Sequence, residues 1–247
     1  MQTLAILIPY FEALLGGLIP IAVWLWFWEE EDWRHPEPKT LIVLAFMAGM
    51  VGTILVIPFE KYIRLAIEGA SAYISNAQPT PQTIVAWAAI EESTKLLMAW
   101  LVVLWRRAND EPLDSVIYMI TVALGFSALE NAIFILPYLL GDQSGTAFAV
   151  ANIRFIGATL IHTLSSGVIG IFLALAFYKS RAAKFIYLVA GLTVAVILHS
   201  LFNLSIISGN ENVSVLPFFA VWIGIVTLLL FLERIKHIPK PVVKINK

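Results

Sequence analysis

Seven long apolar stretches organise this chain: Leu4 to Trp28, Leu41 to Phe59, Thr83 to Trp105, Val116 to Leu140, Ala151 to Tyr178, Phe185 to Ile207 and Val213 to Leu232. About 20 apolar residues at about 1.5 Å per residue cross the hydrocarbon core of a bilayer as a helix. Inside that core every backbone N–H and C=O must be satisfied within the protein, which a helix does by itself. The pattern therefore predicts an all-α polytopic membrane protein with seven spans. Residues 60–76 mix Lys61, Arg64 and Glu68 with Ile63, Leu65, Ile67 and Tyr73, as in an interfacial helix lying on the bilayer surface. An eighth short span is the alternative there. The first stretch lacks a basic n-region and a small-residue cleavage site, so it reads as a retained span.

Composition agrees. The 247 residues are 60% hydrophobic and 13% charged, against about 45–50% and about 25% in soluble domains. The loops are too short for a large soluble domain, so residues 1–247 read as one integral-membrane domain. A formal net charge of -1 leaves no basic footprint for nucleic acid. With no cysteine, disulfides, thiolate zinc sites and a cysteine nucleophile are excluded.

The basic residues set an expected orientation. Arg34, Lys39, Arg106, Arg107, Lys179, Arg181, Lys184, Arg234, Lys236, Lys240, Lys244 and Lys247 fall on one side of a seven-span topology, and only Lys61 and Arg64 on the other. By the positive-inside rule the N-terminus is outside and the C-terminus cytoplasmic in a multi-pass cell-membrane protein. Trp24, Trp26, Trp28 and Trp33 read as an interfacial aromatic belt.

Ionisable groups inside spans cost about 2.5–3.5 kcal/mol each on insertion scales and mark functional sites. Here they are Glu91, Glu92 and Lys95 in the third stretch, Glu130 beside Asn131 in the fourth, Arg154 and His162 in the fifth, and His199 with Asn203 in the sixth. Glu91, Glu130, His162 and His199 each lie roughly 12–17 Å of helix rise from the outer end of their stretch. Antiparallel helices thus bring their polar groups to one layer, which implies a single polar cavity biased toward the outer face, in a catalytic core of about residues 83–207. Spacing of four places Glu91 with Lys95, Phe126 with Glu130, His162 with Ser166 and His199 with Asn203 on shared helix faces. Arg154, near the outer end of its stretch, is placed to snorkel to the interface.

Carboxylates beside imidazoles suit general-base activation of water, with either Glu91 or Glu92 as the base. Asp32, Asp110, Asp114 and Asp142 all read as loop residues, which excludes a paired-aspartate mechanism. No His-Glu-x-x-His and no Gly-x-Ser-x-Gly pattern is present, although Ser127 and Ser165 near the cluster keep a serine mechanism formally open. A proton- or cation-coupled transporter using the same Glu/His cluster is the alternative function class, and a catalytically inactive scaffold a third.

The arrangement Glu91-Glu92-Ser-Thr-Lys95, Glu111-Pro-Leu-Asp114, Gly125-Phe126-Ser-Ala-Leu-Glu130-Asn131, His162 and His199-Ser-Leu-Phe-Asn203, preceded by His35-Pro36-Glu37-Pro38, resembles the PrsW intramembrane proteases, relatives of the type II CAAX prenyl endopeptidases. The resemblance implies a glutamate-dependent peptidase acting in regulated proteolysis on a transmembrane substrate of the anti-sigma-factor type, at its extracytoplasmic side. It assigns the base to Glu91 and Glu92, the water site to Glu130 and His162, and the scissile carbonyl to His199 and Asn203, with Lys95, Asn131, Phe126 and Arg154 in support. The CAAX relatives carry His at the position of Glu130. That departure brings in zinc or another divalent metal, with Glu91, Glu130, His162 and His199 as candidate ligands.

Overall fold

In a computed structural model, residues 2–31, 36–75, 77–207 and 215–239 are described. Trp33, Arg34, His35, Lys240, Lys244 and Lys247 lie outside them. Among the described residues the fold is all-helical: α1 (Gln2–Glu30), α2 (Lys39–Ile74), α3 (Pro81–Ala99) continued by a π-helical segment (Trp100–Leu104), α4 (Pro112–Leu140), α5 (Ser144–Ile156), α6 (Ala158–Leu175), α7 (Arg181–Ile207) and α8 (Leu216–Ile235). Six segments, with α5 and α6 taken as one, are long and apolar enough to cross a membrane. The segment α3 is not in that set, because Glu91, Glu92 and Lys95 interrupt its apolar character.

Helix α4 is the axis of the bundle. Its stretch from Pro112 to Ala128 is buried all round, as expected of a helix that is apolar on every face and surrounded by others. It packs against α1, α2 and α6, whereas α2, α7 and α8 expose large apolar side chains such as Phe59, Phe185 and Ile223 on their outer faces. Apolar side chains facing lipid supply no drive toward one another, so packing depends on close backbone approach at small residues. A Cβ at Gly125 would lie 1.9 Å from the carbonyl oxygen of Phe46, and one at Gly49 2.0 Å from that of Val122. The α2/α4 crossing is therefore backbone against backbone, and the Thr53 hydroxyl donates across it to the Phe126 carbonyl at 2.9 Å.

Local chemistry sets the helix ends. Thr80 caps α3, its hydroxyl accepting from the Thr83 N–H, with Pro81 in the first turn, as expected for a side-chain cap followed by proline. Glu111-Pro-Leu-Asp114 is a capping box. The Asp114 carboxylate accepts from the backbone N–H of Asp110 and of Glu111, both at 2.8 Å, satisfying donors that a helix start leaves open. Asp114 is thus a buried first-turn residue of α4 rather than a loop residue. At the opposite end of the sequence Lys236, just past α8, binds Glu31 at 2.8 Å and so ties the ends of α1 and α8 together.

Two expectations change. Residues 60–74 form neither a separate interfacial helix nor an extra span; they continue α2 past Pro58, with an interruption at Gly69 (φ 81°). Up to that interruption, residues 39–68, α2 is about 45 Å long, well over the hydrocarbon thickness, and this end is fixed by Glu68, which accepts from Arg64 at 3.0 Å and from the Thr80 N–H at 2.6 Å. The fifth apolar stretch is two helices, broken at Gly157, where Phe218 packs so closely that a Cβ would meet its ring at 2.5 Å. The break lets α5 approach α4 independently of α6.

The α2/α4 crossing is testable. Gly125→Ala places a methyl against a backbone carbonyl and is expected to destabilise the protein by about 1–3 kcal/mol, the usual cost of overpacking, read as a lower unfolding temperature in detergent. Unchanged stability would contradict the backbone contact.

Candidate active site and metal-binding residues

Helices α3, α4, α6 and α7 each bring polar side chains to one buried cluster. Glu91, Glu92 and Lys95 come from α3, His162 from α6 and His199 from α7; they are 5%, 0%, 0%, 2% and 1% exposed respectively. Glu130 comes from α4 and keeps part of its side chain accessible. Convergence follows from the i, i+3 and i, i+4 geometry of α3, which stacks Lys95 over both glutamates, and from the antiparallel run of the partner helices.

Glu92 is the most heavily satisfied group. Its Oε1 is 2.8 Å from Lys95 Nζ, 2.8 Å from His199 Nδ1 and 2.9 Å from the Ser165 hydroxyl, and its Oε2 accepts from Ser166 at 2.8 Å. A buried carboxylate is stable only when its lone pairs are occupied in this way. Glu130 is held by Arg154 at 2.7 Å and by His162 Nε2 at 2.8 Å. Arg154 also donates to Asn131 Oδ1 at 2.7 Å, and the Asn131 amide reaches Thr159 Oγ1 at 3.0 Å. Arg154 is therefore directed inward onto Glu130 and Asn131 instead of snorkelling, because the break at Gly157 turns the last turn of α5 toward α4.

These contacts fix both imidazoles. His199 donates from Nδ1 to Glu92, and His162 from Nε2 to Glu130. That leaves His199 Nε2 and His162 Nδ1 as lone-pair nitrogens, 3.8 Å and 3.7 Å from the same atom, Glu91 Oε2. The rings stand perpendicular at 4.9 Å between centroids, and Phe126 packs against His162 at 5.5 Å. Glu91 Oε2 is buried and has no hydrogen-bond partner, although Lys95 Nζ lies 3.5 Å away.

A metal ion fits this donor set. Glu91, His162 and His199 each offer a ligand atom within 4.8 Å of the others. Each histidine has its far nitrogen anchored on a carboxylate, the usual outer arrangement of metal-bound imidazole, and the orphaned Glu91 oxygen supplies the anionic ligand. Glu130 faces the opposite nitrogen of His162 and is an anchor in this arrangement. Lys95 Nζ, 2.7 Å from His162 Nδ1, competes with an ion for that lone pair.

Of the residues expected from sequence, Glu91, Glu92, Lys95, Glu130, Asn131, Arg154, His162, His199 and Phe126 are brought together. Asn203 is half-buried one turn beyond His199 and makes no hydrogen bond to the cluster among the described residues. Neither Ser127 nor Ser165 hydrogen-bonds an imidazole nitrogen; Ser127 donates to Thr159 and Ser165 to Glu92. One group escapes the sequence reading. The Glu60 carboxyl of α2 lies on the side of the cluster near Glu91 and interacts with it electrostatically, and the Trp87 indole donates to the Glu60 carbonyl at 3.0 Å. The signal lay in the helical spacing Gly49, Thr53, Val56, Glu60, a face that meets α4 and continues past the end of the apolar stretch at Phe59.

With this geometry in place, comparison with known proteins is informative. Residues 37–231 match the family described as PrsW family intramembrane metalloprotease. The chain is 27% identical over 193 residues to Protease PrsW of Geobacillus kaustophilus, covering 78% of this chain and 79% of that protein. It is 26% identical over 220 residues to Protease PrsW of Bacillus subtilis, covering 87% and 93%, and 22% identical over 195 residues to Protease PrsW of Clostridioides difficile, covering 78% of each. No solved structure matches. The matched segment takes in the whole Glu/His cluster and all of the helices that carry it, and the chain belongs to the PrsW family of intramembrane metalloproteases.

Proposed function

We propose that the protein is a glutamate-dependent intramembrane endopeptidase that hydrolyses a peptide bond of a single-span membrane-protein substrate of the anti-sigma-factor type, near the extracytoplasmic side. The observation that carries this reading is Glu91 Oε2, a buried carboxylate oxygen without a donor, facing the lone-pair nitrogens of two fixed histidines. With α3 as a further span and α5–α6 as one, the chain crosses the cell membrane seven times, N-terminus outside and C-terminus cytoplasmic. The catalytic core is about residues 83–207 of a single domain. A transporter gains no support from the relatives, which are named as proteases.

The division of labour among the carboxylates follows from their partners. Glu92 has its lone pairs occupied and serves to hold His199 and Lys95. Glu130 holds His162 while Arg154 neutralises it. Glu91 is the group left to react: a water molecule against Oε2 gives it a proton, the resulting hydroxide adds to the scissile carbonyl, and Glu91 returns the proton to the leaving amine nitrogen. Asn203, one turn from His199 on α7, supplies an amide N–H for the developing oxyanion. Alternatively, Glu91, His162 and His199 would hold a divalent ion such as zinc, which would supply Lewis acidity toward water and carbonyl, with Glu91 then a ligand and not the base. The site excludes bulk water by its burial, which strengthens each of these interactions.

In proteoliposomes containing a single-span substrate, Glu91→Gln is expected to lower cleavage by at least about 10²-fold, the scale of a lost general base. Cleavage at the wild-type rate would overturn the assignment. A membrane-permeant chelator is expected to abolish cleavage and stoichiometric zinc to restore it; full activity of demonstrably metal-free protein would assign water activation to Glu91 alone.

A further inference from the structure

Away from the Glu/His cluster, a cavity of about 600 Å³ opens between α3 with its π-helical continuation, the end of α6 and the start of α7. Its long wall runs along the first of these from Ser93 to Leu104, about 17 Å of helix rise. The lining is apolar over most of its length, with Trp100, Leu173 and Leu188 prominent, and Ser93 and Trp100 are exposed, so the cavity is open on its lipid side. Two of its wall residues, Trp100 and Leu104, bound the π-helical segment, and π-helical turns recur at functional sites because they displace side chains from the regular helix path.

The chemistry changes at one end. There the lining includes Asn109, Ser115 and Lys184. Asn109 and Ser115 are already occupied, the Asn109 amide donating to the Leu104 carbonyl at 2.8 Å and the Ser115 hydroxyl donating to Asn109 at 3.1 Å. Lys184 is exposed; it lies 5.6 Å from the centre of the Phe177 ring and forms no ion pair among the described residues. Arg106, Arg107, Lys179 and Arg181 belong to the same end of the bundle, and none of them is ion-paired among the described residues either. The feature is thus an apolar slot about as long as half a bilayer's hydrocarbon thickness, roughly 15 Å, with one exposed cation, Lys184, in its lining and Asp110 and Glu111 following Asn109 at the same end.

We propose that this slot seats one acyl chain of an anionic phospholipid whose phosphate rests on Lys184. Basic pockets between transmembrane helices bind anionic headgroups, and a slot of this volume lies in the range of ligand sites, about 300–1,000 Å³. The lipid would line the outer side of α3, the helix that carries Glu91 and Glu92, and its binding does not depend on the proteolytic reading.

Native mass spectrometry of the full-length protein, titrated with phosphatidylglycerol or phosphatidylcholine, tests this directly. Wild type is expected to retain one phosphatidylglycerol with about fivefold or greater preference over phosphatidylcholine, the scale of one basic side chain at an anionic surface. Lys184→Glu is expected to remove the preference, Lys184→Arg to keep it, and Leu188→Trp, which fills the slot, to weaken both lipids. Lys184 is surface-exposed, so its variants fold as wild type does, and unfolding temperatures check this. Equal retention of the two lipids by wild type, or a preference that survives Lys184→Glu, would overturn the proposal. Displacement of the lipid by a single-span peptide but not by glycerol phosphate would reassign the slot to a substrate helix and overturn it equally.

Discussion

The structure depends on how one buried carboxylate is neutralised. Glu92 has no contact with solvent and is surrounded by helices, where an uncompensated charge would cost several kcal/mol. Lysine, histidine and two serine hydroxyls surround it, one from its own helix, two from α6 and one from α7. Three helices are therefore locked in rotation and depth by the need to satisfy a single side chain. The fixed imidazole of His199 is a by-product of that requirement. Glu130 does the same for His162 from the other side, with Arg154 as its counter-charge.

Both oxygens of Glu92 are occupied, whereas Glu91 Oε2 is buried without a hydrogen-bond partner among the described residues. An unsatisfied buried acceptor is a liability in a merely structural cluster, and its position opposite two lone-pair nitrogens is the ground of the proposal that Glu91 reacts. Precision of this kind needs a rigid frame. Helix α4 supplies it through backbone-close crossings at Gly49 and Gly125, so that Glu130, one turn beyond Phe126, is placed by main-chain contact as well as by side-chain packing.

The common depth of Glu91, Glu130, His162 and His199 was legible in the sequence because depth follows from helix rise alone. Pairings within α3 were legible for the same reason. What was not legible depended on local chain breaks. The interruption at Gly157 redirects Arg154 from the interface to Glu130, an effect without a periodic signature, whereas Glu60 is found only by carrying the Gly49, Thr53, Val56 spacing of α2 one turn further. The first-turn role of Asp114 is hidden because Glu-Pro-Leu-Asp has the composition of a loop yet forms a capping box. The distinction between Glu91 and Glu92 required knowing which neighbours donate to each, information held by three other helices.

The central claim is that Glu92 holds the site together while Glu91 reacts. The most direct test compares Glu91→Gln and Glu92→Gln side by side for unfolding temperature and for cleavage of the same reconstituted substrate. Glu91→Gln should lose cleavage while retaining or gaining stability, since no donor to Oε2 is lost. Glu92→Gln should lose both, because Lys95 loses its close carboxylate partner at 2.8 Å and keeps only Glu91 at 3.5 Å. Equal destabilisation of the two variants, or a stable and active Glu91→Gln, would contradict the division of roles.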